Sequence, residues 1–427
     1  LGRTQTMRGT SRPAMRRSAR GVVVTRLSSL SIAVLMLLSG TAAGCARRAA
    51  ERVPAAAPPV DERAAADLAE RLQKLLDSLV AGQDSVRGGL LLVDGPGFHW
   101  KGASGVASEA TGAAMLPDDQ FAIDSIAKAM TATIVMGLVE EGRIALDDPI
   151  GRYLPPSLMD GLHVISGTSY SGAVTIRHLL NHSSGIPDDW ACAGFLDRIA
   201  ADLERRWTPE ETIAFVKSNC EPAFPPGGGF SYSDTGYNLL GLIIEHVSGK
   251  TLQGAYRERL LDPLGMEHTY RPAFEASRPS IPQRRPSERF LGDLECSLSP
   301  AVMTADWGGG GLISTTEDLN RFLRAFVDDR IFRQPETRAQ MLNWIDSGPF
   351  HGYGFGIGLV DFDRSDSPAH AGLGQVWGHA GSSQNFMYYW PRFDVAMIGT
   401  LNQIDSQRGL YDIVASVMTT VRDTLPG

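Results

Sequence analysis

Apolar residues near the start of the folded region recur at the spacing of one helix face. In "DERAAADLAERLQKLLDSLVAG" the leucines stand at positions 68, 72, 75, 76 and 79, which lie on the same side of a helix. Gly82 follows the last leucine and is the residue type that most often ends a helix. The pattern predicts an N-terminal amphipathic helix that ends at Gly82.

A hairpin pattern and a buried helix pattern come next. "RGGLLLVDGPGFHWKGASGVAS" contains two apolar-rich runs around the turn "DGPG", which predicts two antiparallel strands. "SIAKAMTATIVMGLVEEGR" is apolar almost all the way round a helix, which predicts a buried central helix that ends at Gly142. "VTIRHLLNHSSGIP" predicts a short helix, and "TGYNLLGLIIEHVSGK" predicts a further apolar helix. Helices and turns therefore dominate from about 121 to 330.

The C-terminal part changes to the pattern of short strands. Runs such as "YGFGIGLVDF" and "QNFMYYWPRFDVAMIGTLNQ" are separated by Gly and Pro turns, and "GLYDIVASVMTTVRDTL" predicts a last helix. Strands at both ends with helices between them predict an α/β fold of the α+β type. We expect one antiparallel sheet from the N- and C-terminal segments, flanked by helices, with an inserted helical lobe. The Pro- and Arg-rich segment 271–300 is predicted to be a surface loop.

The start of the chain has the pattern of an export signal. "MRRSARGVVVTRLSSLSIAVLMLLSGTAAGC" passes from arginines through an apolar stretch too short to span a bilayer, and it ends in small residues before Cys45. We expect a signal peptide with a lipobox-like end over 1–45, an Ala/Pro-rich tether over 46–62 and one domain over 63–427. Lipidation of Cys45 and plain cleavage after the small residues are both open. Either predicts export to the periplasm or cell envelope, and lipidation would add a membrane tether.

Charge and cysteine content narrow the classes of partner and compartment. The net charge of −8 indicates no basic surface for a phosphate backbone, so we expect no nucleic acid partner. Cys192 and Cys220 flank a segment whose ends a disulfide could join while short helices form between them. Whether these two cysteines pair is open at this stage. Cys296 makes the number of cysteines after Cys45 odd.

Ser125 and Lys128 are the first candidates for chemistry. They lie three positions apart at the start of the central helix, so they share a helix face and the ammonium nitrogen can reach the hydroxyl. Burial can remove the proton of a lysine near neutral pH, and the amine can then act as the base that a serine nucleophile needs. The alternative is that Ser125 caps the helix and Lys128 is a surface charge. The apolar helix leaves little solvent-facing surface for Lys128, which favours the catalytic interpretation.

Tyr232 is a second candidate. It lies in the Gly-rich loop "GGGFSYSD" directly before an apolar helix, where its phenol can point into a cleft. A tyrosine there could relay a proton between the serine and a leaving group, given a neighbouring cation that favours its charged form. The alternative is a tyrosine that only packs in a loop.

A third stretch, "GHAGSSQNF", precedes an apolar strand. Gly381 would let a substrate lie close against the strand that contains Ala380, and the backbone N–H of Ser382 could form an oxyanion hole with the N–H of Ser125. His379 could bind a substrate carboxylate or tune the site. The alternative is a histidine with only a turn role.

These stretches occur in the order found in a known family. The chain from about 85 to 425 resembles the serine beta-lactamase and penicillin-binding family, in the branch that holds class C beta-lactamases, D-Ala-D-Ala carboxypeptidases, D-aminopeptidases and related esterases. The stretches that carry the resemblance are "FAIDSIAK", "LVEEGRIALDDPIGRYLP", "IRHLLNHSSGIPD", "FSYSDTGYNLLGLIIEHVSGK", "LLDPLGMEHT", "GGGGLISTTEDLNRFL" and "GHAG". The resemblance implies a beta-lactamase/transpeptidase-like serine hydrolase domain. It implies Ser125 as nucleophile, Lys128 as its base partner, Tyr232 as second proton-relay group, and His379-Ala380-Gly381 as the strand motif.

The chain departs from the family pattern at two positions. The second motif usually reads Tyr-x-Asn, whereas here Asp234 replaces the amide, so a donor to a substrate carbonyl is lost and negative charge is added. The third motif carries His379 where beta-lactamases mostly have Lys-Thr-Gly, and no lysine follows Lys250. Both changes favour hydrolysis of an ester, amide or D-amino-acid peptide over efficient beta-lactam hydrolysis. The alternative is a weakly active or inactive homologue with a wall-binding or regulatory role.

Other chemistries are less consistent with the sequence. His178 and His182 have a spacing that can bind zinc, but no catalytic Glu lies between them, so we expect no metal and no cofactor. No Gly-x-Ser-x-Gly elbow surrounds Ser125, and the glycine run at 308–311 lacks the Lys-Ser/Thr of a phosphate loop. The expected partner is therefore a small-molecule or peptide acyl substrate.

Overall fold

The computed structural model describes residues 61–83, 85–348, 351–404 and 409–425. The predicted signal peptide, Cys45 and nearly all of the predicted tether lie outside these ranges, so export and lipidation stay predictions. No helix within the described ranges combines the length and the apolar character that crossing a membrane requires.

Helices and strands follow one another along the chain in the predicted pattern. The α-helices are α1 (Glu62–Ala81), α2 (Ala127–Glu140), α3 (Pro156–Met159), α4 (Ile176–Leu180), α5 (Phe195–Ala201), α6 (Pro209–Asn219), α7 (Asp234–Ser248), α8 (Leu252–Tyr256), α9 (Pro300–Ala305), α10 (Thr316–Val327), α11 (Pro335–Met341) and α12 (Leu410–Thr424). The strands are β1 (Gly88–Gly95), β2 (Phe98–Ser108), β3 (Ala113–Ala114), β4 (Phe121–Ala122), β5 (Val164–Ile165), β6 (Thr168–Ser169), β7 (Phe290–Leu291), β8 (Leu294–Glu295), β9 (Ile313–Ser314), β10 (Ile345–Gly348), β11 (His351–Tyr353), β12 (Gly358–Asp361), β13 (Gln375–Gly381), β14 (Asn385–Trp390) and β15 (Val395–Thr400). Short 3-10 turns lie at Asp124–Ile126, Ile150–Arg152, Ser171–Ala173, Phe362–Arg364 and Pro368–His370, and a π-turn lies at Arg257–Leu261.

The main sheet joins the two ends of the domain. Its strand order is β10-β11-β12-β13-β14-β15-β1-β2-β3, and each neighbouring pair is antiparallel. Strand β1 pairs with β15 on one side and with β2 on the other, for example through Leu92 opposite Ile398. The predicted fold class is therefore confirmed: an antiparallel sheet from both terminal segments holds a helical region between them.

The side-chain alternation of β1 explains why both faces of the sheet are covered. Leu90 and Leu92 point into the core shared with the helical lobe, whereas Leu91 and Val93 point into the core shared with α1 and α12. Successive side chains of a strand point to opposite faces, so an uninterrupted apolar run requires cover on both. The helical lobe supplies one cover and the terminal helices supply the other.

The predicted N-terminal and central helices are present. In α1 the side chain of Asp61 accepts from the N–H of Ala64 at 2.8 Å, and Gly82 follows the last helical residue. Helix α2 is buried almost all round and is followed by Gly142 with a positive φ of 69°. Because α2 runs through the middle of the core, a polar residue at its start is held inside the protein.

The prediction that 271–300 is a surface loop is wrong at two arginines. Arg271 is fully buried and its guanidinium carbon lies 4.7 Å from the ring centroid of Trp307. Arg289 is 4% exposed and pairs with Asp124. Pro and Arg content predicts exposure, but stacking on an aromatic ring and pairing with a distant carboxylate can bury an arginine.

Candidate active site

Ser125 lies in the 3-10 turn Asp124–Ile126, directly before α2. Its side chain is half-buried, and neither the turn nor α2 has a side-chain cap. The alternative in which Ser125 caps the helix is therefore wrong. Its Oγ instead accepts a hydrogen bond from Nζ of Lys128 at 3.0 Å.

Lys128 is fully buried in the first turn of α2. Besides Ser125, its Nζ contacts the carbonyl oxygen of Gly309 at 3.0 Å and forms a close ion pair with the carboxylate of Asp234. An ammonium group has three donors and no acceptor, so it can donate to these oxygens and to the phenol of Tyr232, which also hydrogen-bonds with it. The alternative in which Lys128 is a surface charge is wrong as well.

Nearby negative charge keeps the proton on Lys128. Burial lowers the pKa of Lys128, but the charge of Asp234 and its hydrogen bond outweigh this effect and raise that pKa well above its ordinary value. The expectation that burial frees the lysine of its proton is therefore wrong for the resting site. The sequence could not supply the reason, because Asp234 comes from another helix, α7.

Tyr232 lies against the serine and the lysine. Its ring centroid is 5.0 Å from Nζ of Lys128 and 4.2 Å from the ring centroid of His182, and its phenol interacts with the side chain of Ser125. Burial raises the pKa of Tyr232 above its ordinary value, against the opposing charge of Lys128. The phenol is therefore neutral and can donate a proton, whereas the sequence had suggested that a cation would favour its charged form.

His379 lies in β13 with both ring nitrogens engaged. Nδ1 lies 2.7 Å from the carbonyl oxygen of Ala380, and Nε2 lies 2.9 Å from the hydroxyl of Tyr353. A carbonyl oxygen only accepts, so Nδ1–H donates to it and Nε2 accepts from Tyr353. Burial, reinforced by the charge of Lys128, lowers the pKa of His379 to about 3. His379 is thus neutral and has no free donor for a substrate carboxylate.

Asp124 joins the nucleophile turn to the turn after β13. Its backbone has a positive φ of 47°, which is uncommon for a residue other than glycine. Its Oδ2 accepts from the hydroxyl of Ser382 at 3.0 Å, from the N–H and hydroxyl of Ser383 at 2.9 and 2.6 Å, and from the amide of Asn385 at 3.0 Å. Its Oδ1 pairs with Arg289. Sequence reasoning missed both Asp124 and Arg289; the only available signal was an acid directly before the serine.

Gly381 allows β13 to lie directly against the nucleophile turn. A Cβ at this position would lie 2.9 Å from the carbonyl oxygen of Ile123 and 3.0 Å from Cβ of Asp124. Because Ser382 follows Gly381 and bonds to Asp124, the structure brings Ser382 close to Ser125. The proposed oxyanion hole from the two serine N–H groups stays a prediction.

Three further aspartates, Asp188, Asp189 and Asp306, lie around the ion pair of Lys128 and Asp234. The N–H of Asp234 donates to Oδ1 of Asp188 at 3.0 Å, and the hydroxyl of Thr235 donates to Oδ1 of Asp189 at 3.0 Å. Burial and the charge of Asp234 raise the pKa of Asp188 to about 7, and they raise that of Asp306 well above its ordinary value. Asp234, expected to face the substrate, places its carboxylate on Lys128 instead.

The remaining candidates lie at the edge of the site or support its loops. Cys192 and Cys220 are joined in a disulfide that encloses α5 and α6, whereas Cys296 is a buried free thiol. Nδ1 of His178 accepts from the N–H of Thr175 at 3.2 Å, and Nδ1 of His182 accepts from the N–H of Ser233 at 3.1 Å. These histidines orient backbone, and the described residues contain no group of three potential ligands that could hold a metal.

Comparison with known proteins agrees with this geometry. The family described as Beta-lactamase matches residues 72–418. Penicillin-binding protein 4 of Amycolatopsis lactamdurans is 31% identical over 297 residues, which cover 66% of this chain and 71% of that protein. Esterase EstB of Burkholderia gladioli is 30% identical over 355 residues, which cover 74% of this chain and 87% of that one.

A solved structure with the same fold is the D-amino acid amidase of Ochrobactrum anthropi SV3 in complex with D-phenylalanine. It superposes with a TM-score of 0.70 at 25% identity, over 84% of this chain and 100% of that one. The family match, the sequence relatives and the fold all agree with the order of the motifs in the sequence. The chain belongs to the beta-lactamase family of serine hydrolases.

Proposed function

We propose that this enzyme forms an acyl-enzyme on Ser125 and hydrolyses esters and amides that carry no carboxylate beside the scissile bond. Beta-lactams and peptides with a free carboxyl terminus would be poorer substrates. The observation that supports this substrate class is the state of the cations near the serine. Within the described residues Lys128 is paired with Asp234, Arg289 is paired with Asp124, and His379 is neutral.

A substrate carboxylate would be costly in such a site. A charged group that leaves water without a partner loses solvation free energy that only an ion pair or strong hydrogen bonds can return. The carboxylate of Asp234 beside Lys128 adds repulsion to this loss. A neutral ester avoids both the loss of solvation and the repulsion. The site therefore discriminates between substrates by the charge next to the reacting carbonyl.

The chemistry needs few other groups. Oγ of Ser125 attacks the carbonyl carbon, and the backbone N–H groups of Ser125 and Ser382 stabilise the developing oxyanion. The neutral phenol of Tyr232 can donate a proton to the leaving group, because it lies beside the serine hydroxyl. The names of relatives support this assignment, since one of them is an esterase and another is a D-amino acid amidase.

We further propose that the protein acts outside the cytoplasm, in the periplasm or on the envelope. The signal-like start of the sequence and the disulfide between Cys192 and Cys220 support this location. A lipid on Cys45 would hold the enzyme at a membrane. Fractionation of cells that express the wild type or Cys45→Ala tests the tether, and equal membrane association of both proteins would contradict it.

The substrate proposal is tested with a matched pair of thiolesters. Benzoyl-glycyl thioglycolate and its methyl ester differ only in a carboxylate on the leaving group. After correction for their alkaline hydrolysis rates, we expect kcat/KM to be about 30-fold higher for the methyl ester, or about 2 kcal/mol. A higher value for the acid would contradict the proposal. A cephalosporin, p-nitrophenyl butyrate and a D-amino-acid amide complete the panel.

A further inference from the structure

We propose that Asp234 is the terminal proton acceptor of a relay that runs from Ser125 through Lys128. The inference rests on the proposed function, because it concerns the acylation of Ser125. The proposal assigns a role to Asp234, the acid that stands where the family usually has Asn. Asp234 then acts on proton movement rather than on the substrate carbonyl.

The contacts of Lys128 carry the inference. Its Nζ is fully buried and faces the oxygens of Ser125, Gly309 and Asp234, and the phenol of Tyr232 hydrogen-bonds with it as well. An ammonium nitrogen with its donors occupied has no lone pair, so it cannot accept the serine proton until one of its own protons leaves. The carbonyl of Gly309 is too weakly basic to hold a proton, and Ser125 is itself the proton donor. The neutral phenol of Tyr232 is a poor proton acceptor as well, so among these oxygens only the carboxylate of Asp234 can take that proton.

The surrounding groups favour Asp234 over the neighbouring acids. Burial and the charges of nearby aspartates raise the pKa values of Asp188, Asp189 and Asp306. Those three acids therefore tend to hold their protons, while Asp234 is the one in direct contact with the ammonium group. The titratable and charged groups that face the Lys128 and Asp234 pair are Ser125, Tyr232, Tyr237, Tyr256, Tyr353, His182, His379, Asp124, Asp188, Asp189 and Asp306.

The proton step balances without a co-reactant. The Oγ–H proton of Ser125 moves to Lys128 while an ammonium proton moves to Asp234, and Oγ forms a bond to the substrate carbonyl carbon. The carbonyl π pair becomes the oxyanion, so one negative charge moves from Asp234 to the substrate and the net charge is unchanged. On collapse, the carbon to leaving-group bond breaks and the leaving group takes a proton from Tyr232. The proton on Asp234 then returns through Lys128 to Tyr232.

The relay predicts a specific pH dependence. In the wild type the relay needs no deprotonated lysine, so kcat/KM should not depend on prior loss of the Lys128 proton. In Asp234→Asn no acceptor remains, and Lys128 must lose its proton to solvent before the attack. The acidic limb of kcat/KM should then move up by about 2 pH units or more, with roughly 100-fold lower kcat/KM at pH 6 and recovery to within about 10-fold at pH 9.

The experiment measures kcat/KM for p-nitrophenyl butyrate from pH 4 to 9.5 in wild type, Asp234→Asn, Asp234→Glu and Asp188→Asn. Asp234→Glu should return the acidic limb of kcat/KM to the wild-type pH, because it restores a carboxylate. Asp188→Asn is the matched control: it removes a neighbouring acid but keeps a carbonyl oxygen for the N–H of Asp234. An unshifted limb in Asp234→Asn, or an equal shift in Asp188→Asn, would overturn the relay.

A second measurement, the pH profile of the wild type, applies if Asp234→Asn fails to fold. The wild-type limb alone decides in that case: a midpoint below about pH 7 fits the relay, whereas any higher midpoint means that a free lysine amine is the base. Failure of the proposed function is distinguishable, because then Ser125→Ala would keep the activity and wild type would not be acylated on Ser125. Acylation of Ser125 with an unshifted limb would overturn the relay alone.

Discussion

At the scale of residues, the ammonium group of Lys128 should be required for fast acylation. Lys128→Ala removes both the base and the counter-ion of Asp234, so we expect kcat/KM for p-nitrophenyl butyrate to fall by about 10³-fold or more. Stopped-flow release of p-nitrophenol measures this rate. Lys74→Ala, at an exposed lysine of α1 that pairs with Glu70 on the surface, is the matched control and should react as the wild type does. A Lys128→Ala rate within about tenfold of the wild type would contradict the assignment.

The neutral state of His379 gives a second residue-scale prediction. The folded protein holds its pKa near 3, whereas an unfolded chain titrates histidine near 6.5. The unfolded state therefore binds more protons between these values, and the stabilisation present above pH 6.5 is lost as the pH falls towards about 3, at up to about 1.4 kcal/mol per pH unit.

Urea unfolding of wild type and His379→Gln between pH 7 and 4 checks this sign. The variant should lose stability less steeply than the wild type as the pH falls. Taking the difference between the two curves cancels the titration of the aspartates around Lys128. Parallel curves would contradict a buried, neutral His379.

The sequence predicted the residues of the site better than their ionisation. Ser125 and Lys128 share a helix face by their spacing alone, so their contact follows from local geometry. The pairing of Lys128 with Asp234 depends on how α2 packs against α7, which no local pattern contains. The same limit applies to Arg289, whose partner Asp124 is 165 positions away.

At the scale of elements, the approach of β13 to the nucleophile turn should be intolerant of one added methyl group. Gly381→Ala would place that methyl against Ile123 and Asp124. We expect kcat to fall by about 10- to 100-fold, with a loss of about 1–3 kcal/mol in the free energy of unfolding. Steady-state kinetics and urea unfolding measure the two effects.

Gly137→Ala is the matched control, because it makes the same change in α2 where the added Cβ has open space. It should leave kcat unchanged and raise the free energy of unfolding by up to about 1 kcal/mol, since alanine favours a helix more than glycine does. Wild-type kcat in Gly381→Ala would contradict the close packing of β13 on the turn.

Long periodic elements were predictable and irregular segments were not. The leucine spacing of α1 and the all-round apolar character of α2 each fit one type of element, and both helices end next to the predicted glycines. The segment 271–300 lacks a periodic pattern, so only its composition could be used. The composition of this segment gives no information on the ring of Trp307, against which Arg271 is buried.

At the scale of the whole molecule, the disulfide should add measurable stability to the helical lobe. It closes a loop between positions 28 apart around α5 and α6, and loops of this size contribute about 3 kcal/mol, mainly by restricting the unfolded chain. We expect Cys192→Ser/Cys220→Ser to lower the free energy of unfolding by about that amount. Thiol mapping of the unreduced, unfolded wild type should find Cys296 free and the other two protected, and reactive Cys192 or Cys220 would contradict the pairing.

The overall architecture was predictable because strand patterns occur at both ends of the chain. A sheet that joins the ends is the simplest way to pair those strands, and β1 indeed lies between β15 and β2. The close approach of Ser125, Lys128, Tyr232 and His379 follows from this closure, since β13 belongs to the C-terminal segment and α2 to the lobe. The motif order predicted this approach. The acidic side chains around Lys128 come from distant parts of the chain and could be recognised only in the three-dimensional structure.

The most direct measurement identifies the residue to which a covalent serine-hydrolase probe becomes attached. Wild type and Ser125→Ala are incubated with a fluorophosphonate and with a labelled penicillin, followed by intact mass and peptide mass spectrometry. We expect one fluorophosphonate adduct on Ser125 in the wild type and none in Ser125→Ala, with weaker labelling by penicillin because of its carboxylate. Labelling of Ser125→Ala would contradict Ser125 as the nucleophile. A folded wild type that no acyl probe labels would contradict the enzyme itself and favour a binding or regulatory role.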